Sequence, residues 1–379
     1  MKKCIVMPDS FKGTLSATEF CDTAKKNIKQ IFPACKVISW PIADGGEGTT
    51  DCFLGFDGYR KITVQTFNAF MEPFESYYAV KGETAVIELA KCAGLPQVYG
   101  RENPAKTTTY GAGIMIKHAI NNGCKKIILG LGGSCTNDAG TGMAAALGVQ
   151  FYNRRDQQFL PVGGNLSTVT HFDTSRAEKL LDGVEIMAMC DIDNPLHGPN
   201  GAAYIFGPQK GANPKMVKHL DKNLQDFSRM INSKYGIDRA WLPGAGAAGG
   251  AGYGVSVFMG GKLEKGIDLI LDMSGFEQEA ADADCIITGE GSLDRQSLSG
   301  KAVVGISRRA KKLGVPVIAV VGQALKGFEK SYDEGVSCVF TTNLTAGDFE
   351  KTRAFARQNL DATLRNVVKL MEISAGFGK

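Results

Sequence analysis

The chain has 379 residues, 44% of them hydrophobic and 22% charged, with a formal net charge of +4. That length exceeds one ordinary core and predicts two domains, and the composition is that of a soluble globular protein. The small, dispersed charge argues against nucleic-acid binding, which needs a clustered basic face, and no apolar run approaches the 18 residues of a membrane span.

Cys4 to Met7 is a short continuous apolar run, the pattern of a strand covered on both faces of a parallel sheet. The turn PDSFKGTL follows, and Ser16 with Glu19 forms a capping box. Ala17, Phe20, Cys21, Ala24, Ile28 and Ile31 then recur at helical spacing, with Pro33 as the stop. A second strand, Val37 to Pro41, ends in IADGGEGTT, so the chain opens as a doubly wound α/β layer. Residues 59–79 alternate as antiparallel strands do, and residues 82–94 read as a strand running into AVIELAKCAGL.

The centre of the chain is rich in glycine. KKII reads as a buried strand leading into LGLGGSCTNDAGTG, after which a helix is expected from near Asp138 to Leu147. Further on come MAMCDIDNPLHGPNGAAYIFGPQKGA and PGAGAAGGAGYG. The strand–loop–helix grammar then returns: strand Cys285 to Thr288, loop GEGSLDRQSLSG, helix Ala302 to Leu313, strands Val315 to Val321 and Val336 to Phe340, and a long helix from about Phe349 to Met371. This arrangement predicts one α/β domain built from both termini, residues 1–66 and 280–379, with a second α/β domain, 67–279, inserted and carrying the glycine-rich loops. Ten cysteines without a CxxC pair, and four histidines without metal-ligand spacing, predict free buried thiols and no zinc site. With no leader-like apolar segment at the start, the expected location is the cytoplasm.

Several apolar runs end in acids: CIVMP in Asp9, VISWPIA in Asp44, IMAMC in Asp191 and CIITG in Glu290. Ligands of open α/β sheets bind beyond the carboxyl ends of the strands, so these acids suggest an anionic site for a divalent metal and a polyhydroxy substrate. Any single one reads more readily as a helix cap or turn residue, whereas four of them, each beside glycines, are harder to dismiss. Gly300-Lys301 fails as a P-loop, because Arg295 and Ala302 replace the required Gly and Ser/Thr. Gly244 to Gly249 spells GxGxxG but follows Trp241-Leu242-Pro243 rather than a strand; a nicotinamide oxidoreductase is the enzymatic alternative it leaves, and tight helix packing or a mobile turn the plain one. The Leu129–Gly142 stretch lacks the third fingerprint glycine and offers instead backbone amides at Gly132, Gly133 and Ser134 with nearby hydroxyls. Such a turn permits phosphate binding without requiring it.

Taken together, PDSFKGTLSA, PIADGGEGTT, LGGSCTNDAGTG, CDIDNPLHGPNGAAYIFGPQKGA, PGAGAAGGAGYG and ITGEGSLDRQSLSGK closely resemble the type 1 glycerate kinase family of bacteria. The resemblance implies two α/β domains, the discontinuous one Rossmann-like, with the site in the cleft between them. It also implies ATP-dependent, Mg²⁺-assisted phosphorylation of D-glycerate to 2- or 3-phosphoglycerate, with small molecules as partners; a homo-oligomer is compatible with it. Phosphoryl transfer needs a phosphate clamp, compensating cations and a group that takes the hydroxyl proton. On that basis Gly132, Gly133, Ser134, Thr136 and Asn137 are expected to bind nucleotide, and Asp191 to act as base. Lys12 is expected beside the transferred phosphoryl, with Lys210 and Lys301 as the other candidates; by sequence alone each lysine is as readily a solvated surface charge. Asp9, Ser10, Lys12, Asn194 and Arg295 are expected to bind substrate, and Asp44 and Glu290 the metal, with roles among the acids, including Asp294, open to exchange. A non-catalytic sugar-acid sensor is the alternative from another class.

Overall fold

The computed structural model describes residues 1–11, 14–43, 45–295, 297–299, 301–344 and 352–376. Its packing divides the chain into two units, Met1–Asp44 with Ile267–Lys379, and Gly45–Gly266. These limits differ from 66/67 and 279/280. Residues 45–66 join the second unit because the strand Arg60–Phe67 pairs antiparallel with Pro73–Lys81, from Arg60–Val80 to Phe67–Pro73. Residues 267–279 join the first, where Ile267 packs on Gly305 and Arg309 bridges Asp272 at 2.7 Å and Glu277 at 2.5 Å. Lys12 and Asp44 lie outside the described residues.

The first unit is built on a wholly parallel five-stranded sheet in the order Val336–Thr341, Val317–Val321, Cys285–Thr288, Lys3–Val6, Lys36–Ser39. The three central strands are buried throughout, as sequences covered on both faces must be. Side chains alternate between two apolar clusters. Val6, Ile287 and Val320 pack with Phe20 and Ile28 of the helix Ala17–Ile31 and with Leu360 and Leu364 of the helix Ala356–Gly376. Ala319 and Val321 pack on the other face with Val303 of the helix Ala302–Leu313. Ser16 caps its helix with the expected reciprocal Glu19 bonds. In chain order the strands run 5-4-3-1-2, so the direction of winding reverses between Lys3–Val6 and Cys285–Thr288, the place where such sheets open a ligand crevice. The last helix, Ala356–Gly376, follows directly on a 3-10 turn, Arg353–Phe355; Phe349, where the helical segment is expected to begin, lies outside the described residues.

The second unit holds a six-stranded mixed sheet in the order Lys262–Glu264, Glu185–Met189, Lys126–Gly130, Thr84–Glu88, Pro73–Lys81, Arg60–Phe67. The first four strands are parallel and in register, which sets Glu88, Gly130, Met189 and Glu264 side by side along one edge. The helix after the glycine-rich stretch starts at Thr141, three residues later than expected, because Ala139 and Gly140 take left-handed φ values of 53° and 71°. PGAGAAGGAGYG is a packing element. A Cβ on Gly249 would stand 1.9 Å from Thr136 O, and one on Gly254 would stand 2.5 Å from Ala139 O. The Ala139 N–H donates to Gly249 O at 3.0 Å. The glycines therefore let one backbone lie on another, which accounts for the GxGxxG spelling without a dinucleotide.

Candidate active site

In the first unit a cavity of about 330 Å³ opens beyond the carboxyl ends of the strands, lined among others by Asp9, Ser10, Glu290, Ser292 and Lys301. The Asp9 N–H donates to Gly289 O at 2.8 Å, and the Thr288 hydroxyl donates to Met7 O at 2.8 Å, so the two strands flanking the reversal carry Asp9 and Glu290 in fixed positions. Asp9 accepts the Ser10 N–H at 2.6 Å. Glu290 is 6% exposed, and its Oε1 has no hydrogen-bond partner. Burial pushes its carboxyl up to about 7, against the opposing pull of a Ser297 hydrogen bond and the Lys301 charge, with Asp9 adding upward repulsion. Asp294 accepts the Ser297 N–H at 3.1 Å, closing the following turn. Arg295 does not line the cavity: it is exposed, with its stem against Gly327.

In the second unit the stretch Leu131–Gly140 leaves the strand Lys126–Gly130 and is pinned on every side by backbone. Gly132 was expected to offer an amide to phosphate, but its N–H donates to Gly45 O at 2.8 Å, and a Cβ there would meet Gly46 Cα at 2.5 Å. Its part is to let the Gly45–Gly46 segment of ADGGEG cross the sheet edge. The Cys135 N–H donates to Ala93 O, and the Gly133 carbonyl accepts from Leu95. Beneath the loop the fully buried Asp138 accepts from the Thr109 N–H at 2.8 Å, the Thr109 hydroxyl at 2.9 Å and the Gly140 N–H at 3.1 Å. Burial raises its carboxyl above the usual range despite these bonds.

Lys210 is not a solvated lysine. It is 3% exposed, and its Nζ donates to Ser134 Oγ and Thr136 O, each at 2.8 Å. Burial pulls its ammonium down to about 8. Asn137 is 1% exposed and neither side-chain atom has a hydrogen-bond partner. A buried amide left so is costly and marks a place for a ligand or water. Ser134, Thr136, Asn137 and Lys210 thus form one polar cluster above the sheet edge. Asp191 follows the neighbouring strand Glu185–Met189, and its Oδ1 accepts the Gly266 N–H at 2.9 Å. Asn194 stands apart in role: its side-chain amide donates to Asn200 O at 2.8 Å and its backbone carbonyl accepts the Gly246 N–H, which ties the turn after Asp191.

Sequence reasoning passed over Glu88. It ends the apolar run TAVIE as Asp191 and Glu290 end theirs, so the same signal was present. Glu88 is 1% exposed and accepts the Thr50 N–H at 3.2 Å, and burial pushes its carboxyl up to about 7. Among the described residues no group of three His, Cys, Asp or Glu side chains is close enough to hold a metal by itself.

Parallel sheets with carboxylates, a buried lysine and glycine-supported loops at their carboxyl edges define an α/β enzyme with sites for small anionic ligands. The sequence model of the glycerate kinase family matches residues 4–372. The chain is 38% identical over 376 residues to a glycerate kinase of Bacillus cereus, covering 98% of this chain and 99% of that one. It is 35% identical over 374 residues to a glycerate 2-kinase of Escherichia coli, covering 98% of each. A crystal structure described as glycerate kinase 2 from Salmonella typhimurium LT2 superimposes with a TM-score of 0.85 at 35% identity over 99% of both chains. This chain belongs to the glycerate kinase family.

Proposed function

We propose that the protein transfers the γ-phosphoryl group of ATP to a hydroxyl of D-glycerate with the help of Mg²⁺. The observation that carries this reading is the buried Lys210 ammonium clasped to Ser134 and Thr136 within the glycine-rich stretch. A cation kept out of water on the Ser134 hydroxyl and the Thr136 carbonyl, in the same loop as the unpartnered Asn137 amide, is suited to phosphate oxygens, whose charge would offset its desolvation. Gly133, with φ of 76°, bends the backbone at the same place. Ser134, Thr136, Asn137 and Lys210 are therefore assigned to the nucleotide phosphates, and Gly132 to supporting the loop.

Asp191 is assigned as the group that takes the proton of the attacking hydroxyl; its hydrogen bond from Gly266 fixes the direction of the carboxylate. Asp9 and Ser10 are assigned to the acceptor. Glu290, with an unpartnered buried oxygen and Asp9 close enough to act on its charge, suits Mg²⁺, which takes one or two carboxylates and completes its shell with water and phosphate oxygens. When bound there the ion would offset the charge of the transferred group. Asp44 and Lys12 remain assigned to metal and phosphoryl by the resemblance alone. The name of the Escherichia coli relative supports the 2-hydroxyl as acceptor. The ten cysteines, all free, suit a reducing compartment and hence the cytoplasm.

Phosphorus NMR of the product formed from D-glycerate and Mg·ATP tests activity and position together. A 2-phosphoglycerate resonance is expected; 3-phosphoglycerate would overturn the position, and the absence of either would overturn the function.

A further inference from the structure

We infer that Lys301, together with the N-terminus of the helix Ala302–Leu313, binds the carboxylate of the hydroxy-acid acceptor inside the first unit's cavity. The identity of the acid rests on the function proposed above; the site is argued from its own geometry. Lys301 is the N-cap of a twelve-residue helix, in extended conformation (φ −65°, ψ 176°), and its side chain makes no capping hydrogen bond. The first amides of a helix have no partner within it, and that end carries partial positive charge. Ser, Thr, Asp or Asn is the favoured cap, and a lysine there sets like charge against like. A local rule broken in this way is accounted for when an anion occupies the spot, and Lys301 lines the cavity.

Glu290 is the independent second observation. It lines the same cavity, is 6% exposed, and its Oε1 has no hydrogen-bond partner. The occupant must therefore bring negative charge to Lys301 and a hydrogen-bond donor or cation to Glu290. A phosphate group brings both only together with a metal ion, whereas a hydroxy carboxylate brings both by itself, through its carboxylate and its hydroxyls. Apart from glycines, Phe11 and Ala356 are the apolar residues among the described residues of the lining, and Phe11 alone of these is aromatic. Arg353, also in the lining and exposed, adds positive charge at the rim. The carboxylate partner in this unit is then Lys301 rather than Arg295, which lies outside the lining.

Calorimetric titration of the full chain with D-glycerate, with and without Mg²⁺ and a non-hydrolysable ATP analogue, tests this without needing turnover. Lys301→Gln should weaken D-glycerate binding at least tenfold, while Lys301→Arg stays within about threefold of the wild type. D-Glyceramide, which keeps the hydroxyls but lacks the charge, should bind all three proteins alike. Because the substitution removes a cation both from the positive end of a helix and from beside the buried Glu290 carboxylate, two opposed effects, the thermal midpoint of Lys301→Gln should stay close to the wild type's. Unaltered glycerate binding with weakened binding of the ATP analogue would overturn the inference and give Lys301 to the nucleotide. A lowered midpoint with equal loss of glycerate and glyceramide binding would also overturn it, showing a structural role. Failure of the wild type to phosphorylate glycerate while it binds the acid through Lys301 would sink the proposed function and leave this site standing.

Discussion

Lys210→Met separates a functional lysine from a structural one. The wild-type ammonium is lowered from 10.5 to about 8 by burial. At 1.36 kcal/mol per pH unit, holding it charged in the folded state at neutral pH costs roughly 3 kcal/mol. Methionine removes that cost but leaves Ser134 Oγ and Thr136 O without their donor, at about 1–3 kcal/mol for each group left unsatisfied. The two effects are of similar size, so urea unfolding at pH 7 should place the variant within about 3 kcal/mol of the wild type. The pH dependence is sharper. Between pH 8 and 10.5 the unfolded lysine binds the proton that the folded one has lost, so wild-type stability should rise with pH relative to the variant, by roughly 3 kcal/mol across that window. Activity should fall by a factor of about 10²–10³, on the scale of removing a group that steadies developing charge. A stability difference that stays flat from pH 7 to 10.5 would refute the account of burial. Unchanged kcat and ATP KM in the folded variant would remove Lys210 from the site.

Gly249→Ala forces a side chain onto a residue with φ of 68° and within 1.9 Å of Thr136 O; strain and overpacking together should cost roughly 3 kcal/mol by denaturant unfolding and raise the KM for ATP. Glu88→Gln should change the acid limb of the stability profile. From pH 4.5 to 7 the folded Glu88 keeps a proton that the unfolded chain has released, so wild-type stability should decline with rising pH by up to about 3 kcal/mol, and the glutamine variant should lack that part of the slope. Asp191→Asn should lower kcat by roughly 10²–10⁴, measured with a coupled ADP assay; a value within about threefold of wild type would take the base role from it.

The first unit was largely legible in the chain because parallel strands covered on both faces must be continuous apolar runs. CIVM and CIIT read as such, and the acids that end them, Asp9 and Glu290, line one cavity. The Ser16–Glu19 box was equally plain, being a contact between residues three apart. Local sequence did not reveal which backbone groups were already engaged. Gly132 looks like a phosphate-binding glycine, yet its amide belongs to Gly45, distant in sequence and brought near by the sheet. PGAGAAGGAGYG imitates a dinucleotide fingerprint, and only its close approach to Thr136 and Ala139 shows what the missing side chains permit. Lys210 and Glu88 make the same point for charge. Nothing beside Lys210 in GPQKGA distinguishes a buried lysine from a solvated one, and Glu88 differs from a turn residue only in its burial. Hydrophobic period and short-range capping are written along the chain and determined the strands, the helices and the acids at strand ends. Desolvation and hydrogen-bond occupancy depend on partners from remote segments, so the tertiary structure alone decided which of those groups are poised for chemistry.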